Sequence, residues 1–174
     1  MGRTLQKLYD ICGALSGLLI LAICLLISAQ IAINTIGRLS PGTLPSTIPS
    51  YADFSGFMLA GATFLALAHT LRAGGHIRVN LVTARLPLLA KMVFEGLVLV
   101  IAAGLTGYAT VFLGALVAES LHYGDVSTGI VPIPLWIPQS VACFGLGLLC
   151  VAILHTLADL WRTRQPQLST PDEV

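Results

Sequence analysis

Charged residues are few in this chain: nine Lys and Arg and eight Asp and Glu among 174 residues, 10% of the sequence against 56% hydrophobic. That leaves little polar material from which to build a soluble active site. A net charge of +1 carries no basic footprint for nucleic acid. Catalytic signatures are missing too. There is no phosphate-cradling glycine loop, no HExxH, no nucleophile elbow and no cluster of carboxylates. No catalytic residue is assigned, and the chain is read as a non-enzyme. The four cysteines (Cys12, Cys24, Cys143 and Cys150) show no CxxC spacing, which argues against a structural zinc site or a redox pair. Each falls in or beside an apolar run and reads as a small buried side chain. No metal site and no resident cofactor is expected.

What the chain does have is four long apolar runs. A hydrocarbon core is roughly 30 Å thick, so a spanning helix needs about 20 apolar residues. Residues 11–36, 54–71, 88–118 and 135–161 qualify. The fold class read from them is an all-α integral membrane protein with four transmembrane helices. The first run is too long for a typical signal-peptide core and has no clear cleavage site, so it is read as a mature helix. Positive charge then orients the spans. Arg3 and Lys7 precede the first, and Arg38 alone follows it. Arg72, Arg78, Arg85 and Lys91 cluster between the second and third, none lies between the third and fourth, and Arg162 and Arg164 close the chain. Short loops rich in Lys and Arg stay cytoplasmic. Eight of the nine cations therefore fall on one side, and both termini are predicted to be cytoplasmic. The basic loops read as contacts to membrane lipid headgroups, with no nucleic-acid partner. One transmembrane domain, residues 1–164, is expected, followed by a disordered cytoplasmic tail, 165–174.

Small residues mark candidate packing faces within the spans: Gly13 and Gly17, Gly56 and Ala60, and Gly104, Gly107 and Gly114. In lipid, close backbone approach replaces the hydrophobic drive between helices. Asp53 is placed to cap the second helix. Gly74 offers a left-handed stop after Arg72, whose charge suits a helix carboxyl end. The segment HIRVNLVTARL, 76–86, alternates polar and apolar residues and reads as a short element in the cytoplasmic interface. Pro87 fits the first position of the third helix. Lys91 and Glu95, four apart, can pair, as can Asp159 and Arg162. Prolines 41, 45 and 49 exclude a continued helix after the first span. Prolines 132, 134 and 138 keep the second outer loop extended. Trp136 and Trp161 fall where interfacial aromatic anchors are expected.

The middles of all four spans are Leu, Ala, Val, Ile and Gly, too thin in polar groups for a self-sufficient transport pathway. Two alternatives stay open. A small homodimeric carrier would need Glu95 as its membrane carboxylate. A haem-bearing anchor of a respiratory complex would use His69 and His155, near the cytoplasmic ends of the second and fourth spans.

The stretch ATFLALAHTLRAGGHIRVNLVTARLP, residues 62–87, resembles the signature of the small, DctQ-like membrane subunit of tripartite ATP-independent periplasmic (TRAP) transporters. Arg72, Gly74, His76, Ile77, Arg78, Val79, Leu81 and Leu86-Pro87 carry the match. Asn80 stands where the family often has Asp. GDVSTGIVPIPLWIPQ, 124–139, resembles the family's approach to its last helix. The resemblance implies a multi-pass protein of the bacterial inner membrane and secondary active transport. It implies a larger polytopic subunit that carries the substrate and ion sites. A periplasmic binding protein would deliver an organic acid to it, with uptake driven by an ion gradient. No substrate-binding residue is then expected in this chain. Arg72, Gly74, His76, Arg78, Asn80 and Pro87 would form a structural turn that meets lipid or partner.

Overall fold

Continuous apolar sequence with no proline beyond a first turn permits uninterrupted helices, and four form among the described residues. The computed structural model describes residues 2–39, 47–74 and 87–163. They fold as α1 (Gly2–Leu39), α2 (Tyr51–Arg72), α3 (Leu88–Tyr123) and α4 (Trp136–Thr163). All four are long and apolar enough to cross a membrane. At 1.5 Å per residue, the 38 residues of α1 reach about 57 Å, well past a hydrocarbon core of about 30 Å. α1 begins at Gly2, so residues 2–10 are its first turns. Residues 40–46, which include Pro41 and Pro45, lie outside the described residues, as do His76, Arg78, Asn80 and the 165–174 tail.

The helices form an open layer in the order α1, α2, α4, α3, with extensive contact only between neighbours. Burial follows position. Only 6% of the most apolar stretch of α3 and 11% of that of α1 is buried, against 28% in α2 and 39% in the central α4. Tyr9 and Cys12 of α1, Leu65 and Ala68 of α2, and Leu148 and Ala152 of α4 make one buried cluster. Leu99 of α3 with Leu149, Ile153 and Leu160 of α4 makes the second. Small residues at the crossings allow this. Ser16 Oγ donates to the Ala62 carbonyl at 2.7 Å, and a side chain at Gly61 would meet Leu19 and Val141 from both flanking helices.

Helix ends depart from the sequence reading in three places. α2 begins at Tyr51, so its N-cap is Ser50, and Asp53 sits in the first turn. Asp53 therefore does not cap the helix, although its charge still suits that end of the dipole. Pro87 is the N-cap of α3, one position before the helix, and its carbonyl accepts the Lys91 N–H at 3.1 Å. The connection between α3 and α4 doubles back instead of staying extended. Val126 bridges to Pro134, the Ser127 N–H donates to the Ile133 carbonyl at 2.8 Å, and the Leu135 N–H donates to the Asp125 carbonyl at 3.0 Å. Gly74, with φ 74°, supplies the left-handed residue beyond α2.

The end of the layer opposite Arg72 is pinned by Gln30, which is 4% exposed. Its Nε2 donates to Thr47 Oγ1 at 3.0 Å and its Oε1 accepts the Ile48 N–H at 2.7 Å. Gln30→Leu leaves a half-buried backbone N–H unpaired, which costs about 1–3 kcal/mol. The expected result is a lower thermal midpoint in detergent with the helical content unchanged by circular dichroism.

Candidate functional site: a polar clasp at one end of the layer

Burying a charge in an apolar layer is costly unless it is paired and hydrogen-bonded. One end of this layer meets that condition across three helices. Arg72 ends α2 and turns inward. Its Nη1 lies 3.1 Å from Asp159 Oδ2 and 3.2 Å from Thr156 Oγ1, both on α4. The Thr156 hydroxyl, 2% exposed, donates in turn to the Ala152 carbonyl at 2.9 Å. The spacing explains the convergence: Ala152, Thr156 and Asp159 lie four and three residues apart and so share one face of α4. His155 Nε2 stands 3.9 Å from the same Asp159 oxygen. Asp159 thus pairs across helices with Arg72, rather than along its own helix with Arg162.

The clasp extends to α1. His69, one turn before Arg72, places Nδ1 3.3 Å from Asp10 Oδ1, within ion-pair distance but poorly aligned for a hydrogen bond. Gly13 makes room for this: a Cβ there would lie 2.8 Å from His69 Cγ. Tyr9, fully buried beside these groups, has no partner among the described residues for its hydroxyl, nor has His155 for its Nδ1. Orphaned buried polar atoms at a polar site are where ordered water belongs.

The sequence-predicted residues divide accordingly. Arg72 is drawn into the chain, and Gly74 stops α2. Pro87 starts α3, while His76, Arg78 and Asn80 lie outside the described residues. His69 and His155, weighed as haem ligands, engage different partners, Asp10 and Asp159. No group of three His, Cys, Asp or Glu with metal-binding geometry occurs among the described residues. Glu95 has a partner within the chain. Gly13 packs on α2, and Gly107 and Gly114 face Cys150 and Cys143 of α4. Those two thiols approach the carbonyls of Ala103 at 3.6 Å and Thr110 at 3.7 Å. A Cβ at Gly17, Gly56 or Gly104 would meet nothing within 4 Å among the described residues, so those notches are open there. Trp136 and Trp161 stand near opposite ends of α4, about 37 Å apart along its axis. Sequence reasoning missed Asp10, Thr156, Gly145 and Gly61. A polar residue inside an apolar run was the available signal for Thr156.

A thin layer of four membrane-length helices, tied by a polar clasp and carrying no catalytic or metal constellation among its described residues, defines a transmembrane protein whose surfaces outweigh its interior. A family model described as "Tripartite ATP-independent periplasmic transporters, DctQ component" matches residues 27–163. The chain belongs to that family, a transporter component and not an enzyme family. No curated protein and no solved structure matches it.

Proposed function

We propose that this chain is the small permease subunit of a TRAP transporter, lying in the bacterial inner membrane with both termini cytoplasmic. In this reading it braces a large polytopic subunit that holds the substrate and ion sites. A periplasmic binding protein delivers an organic acid, and an ion gradient drives uptake. Residues 1–164 act as the membrane domain and 165–174 as a cytoplasmic tail. The observation that supports this most is the family match over 27–163, combined with the nearly bare faces of α1 and α3. Exposed apolar residues such as Leu18, Leu25, Leu105 and Val111 need lipid or protein against them. The open notches at Gly17, Gly56 and Gly104 suit close approach by a second chain. His76, Arg78 and Asn80 continue the motif that begins at the clasp and meet lipid headgroups or the large subunit. Trp136 and Trp161 sit at the two interfaces.

The test is a pull-down of the tagged chain from its native membrane in mild detergent, with partners identified by mass. A larger polytopic protein in fixed ratio is expected. Recovery of the chain alone, as a stable homo-oligomer, would overturn the reading and make Glu95 the next residue to substitute.

A further inference from the structure

The segment between α3 and α4 contains more fixed structure than a connection requires. Gly124, at φ 68°, ends α3, and the Asp125 N–H returns to the Ser120 carbonyl at 3.1 Å. Ser127 then holds the loop from inside. Its Oγ donates to the Val131 carbonyl at 3.3 Å and accepts the Ile133 N–H at 3.0 Å. The loop is also tied to the start of α2: the Val131 N–H donates to Ser50 Oγ at 2.8 Å, and Gly129 lies against the Asp53 carboxylate. Ser50 itself holds a left-handed conformation, φ 54°, which is uncommon for a residue with a Cβ. A hairpin braced at both ends this way presents its tip rigidly.

The tip is apolar. Ile130 is 78% exposed, and Val126 and Val131 are exposed beside it. Its flanking charges, Glu119 and Asp125, are both acidic and exposed, and no Lys or Arg occurs between residues 92 and 161. An apolar tip meant for the bilayer surface would be flanked by cations, which anionic headgroups attract. A rigid apolar knob with an acidic rim instead complements a protein surface that has an apolar notch rimmed by Lys and Arg.

We infer that the 124–135 hairpin of this chain is a docking surface for a soluble protein of that chemistry on the outer side, the substrate-loaded binding protein, with Ile130 as the buried anchor and Glu119 and Asp125 as the steering charges. The inference rests on the orientation and subunit assignment under Proposed function. A fixed loop anchored to α2 loses little conformational freedom on docking, so one well-placed apolar side chain can dominate affinity.

The experiment uses the complete transporter in liposomes, with uptake measured against the concentration of loaded binding protein. Ile130→Asp raises the half-saturating concentration about tenfold or more, and the rate recovers at high binding-protein concentration. Asp125→Lys combined with Glu119→Lys raises it less at high salt than at low salt, because the steering term is screened. An unchanged half-saturating concentration in Ile130→Asp overturns the inference. Loss of the co-purifying large subunit in that variant also overturns it, because the tip would then belong to the contact between subunits. Ile130→Cys, labelled in intact cells by a membrane-impermeant thiol reagent, tests the orientation separately. Labelling from outside is expected above the background of the unsubstituted chain. Absence of labelling refutes the orientation, and the docking surface with it, whatever the uptake data show.

Discussion

Arg72→Leu is expected to destabilise the chain by about 3 kcal/mol, the lower part of the range for stranding one partner of a buried ion pair. Asp159 would keep its charge in an apolar layer, with the His155 imidazole 3.9 Å away in place of the guanidinium. The pair is not wholly sealed, since the Arg72 and Asp159 side chains are 23% and 28% exposed, and solvent discounts the cost accordingly. At about 2–4 °C per kcal/mol for a chain of this size, the thermal midpoint in detergent should fall by roughly 6–12 °C. Asp159→Leu should do similar damage by stranding the guanidinium. The double variant Arg72→Leu/Asp159→Leu should recover most of the loss, because two apolar side chains of comparable bulk remove both desolvation penalties at once. Strictly additive losses in the double variant would show that the two residues act independently and that the clasp is no unit. The same variants separate fold from assembly. If the double variant regains its midpoint but still fails to retain the large subunit, the Arg72 charge also serves the partner.

Much of this architecture was readable from composition and spacing, and the reasons are physical. Four apolar runs with few internal charges can be satisfied in lipid only as helices, because a helix pairs its own backbone groups. Their existence therefore followed from the sequence, whereas their ends depended on neighbours. α2 has its N-cap at Ser50 and not at Asp53, and the Ser50 hydroxyl is held by the Val131 N–H from a loop 81 residues away. No local pattern encodes that contact. The order α1, α2, α4, α3 was equally hidden, since four apolar helices of similar composition offer no periodic signal for who sits beside whom. Arg72 was singled out by its motif, but its partner was not, because Asp159 reads just as well as a neighbour of Arg162 on its own helix. The polar clasp is a non-local fact built from locally ordinary residues.

Glycines show the same division. Gly145 belongs to no motif singled out in the sequence, yet it should be the least tolerant helical glycine among the described residues. A Cβ built there falls 2.5 Å from the carbonyl oxygen of Phe64 and 2.6 Å from its carbonyl carbon. Those are backbone atoms of α2, so no side-chain rotation relieves the clash, and the two central helices must separate. Gly145→Ala should cost about 1–3 kcal/mol, as overpacking does in a filled core. Gly145→Leu should prevent the α2–α4 contact altogether and leave little folded protein in detergent. Gly104→Ala provides the contrast. Nothing lies within 4 Å of its Cβ, so the isolated chain should be neutral to it or gain up to about 1 kcal/mol from helix propensity. Gly104→Leu then distinguishes lipid from protein at that face. If the isolated chain keeps its midpoint while co-purification of the large subunit collapses, α3 lies at the contact between subunits. If both survive, that notch faces lipid and the brace runs through α1. Should Gly145→Leu fold with an unchanged midpoint, the close α2–α4 crossing described above would be wrong, and with it the route by which Arg72 reaches Asp159.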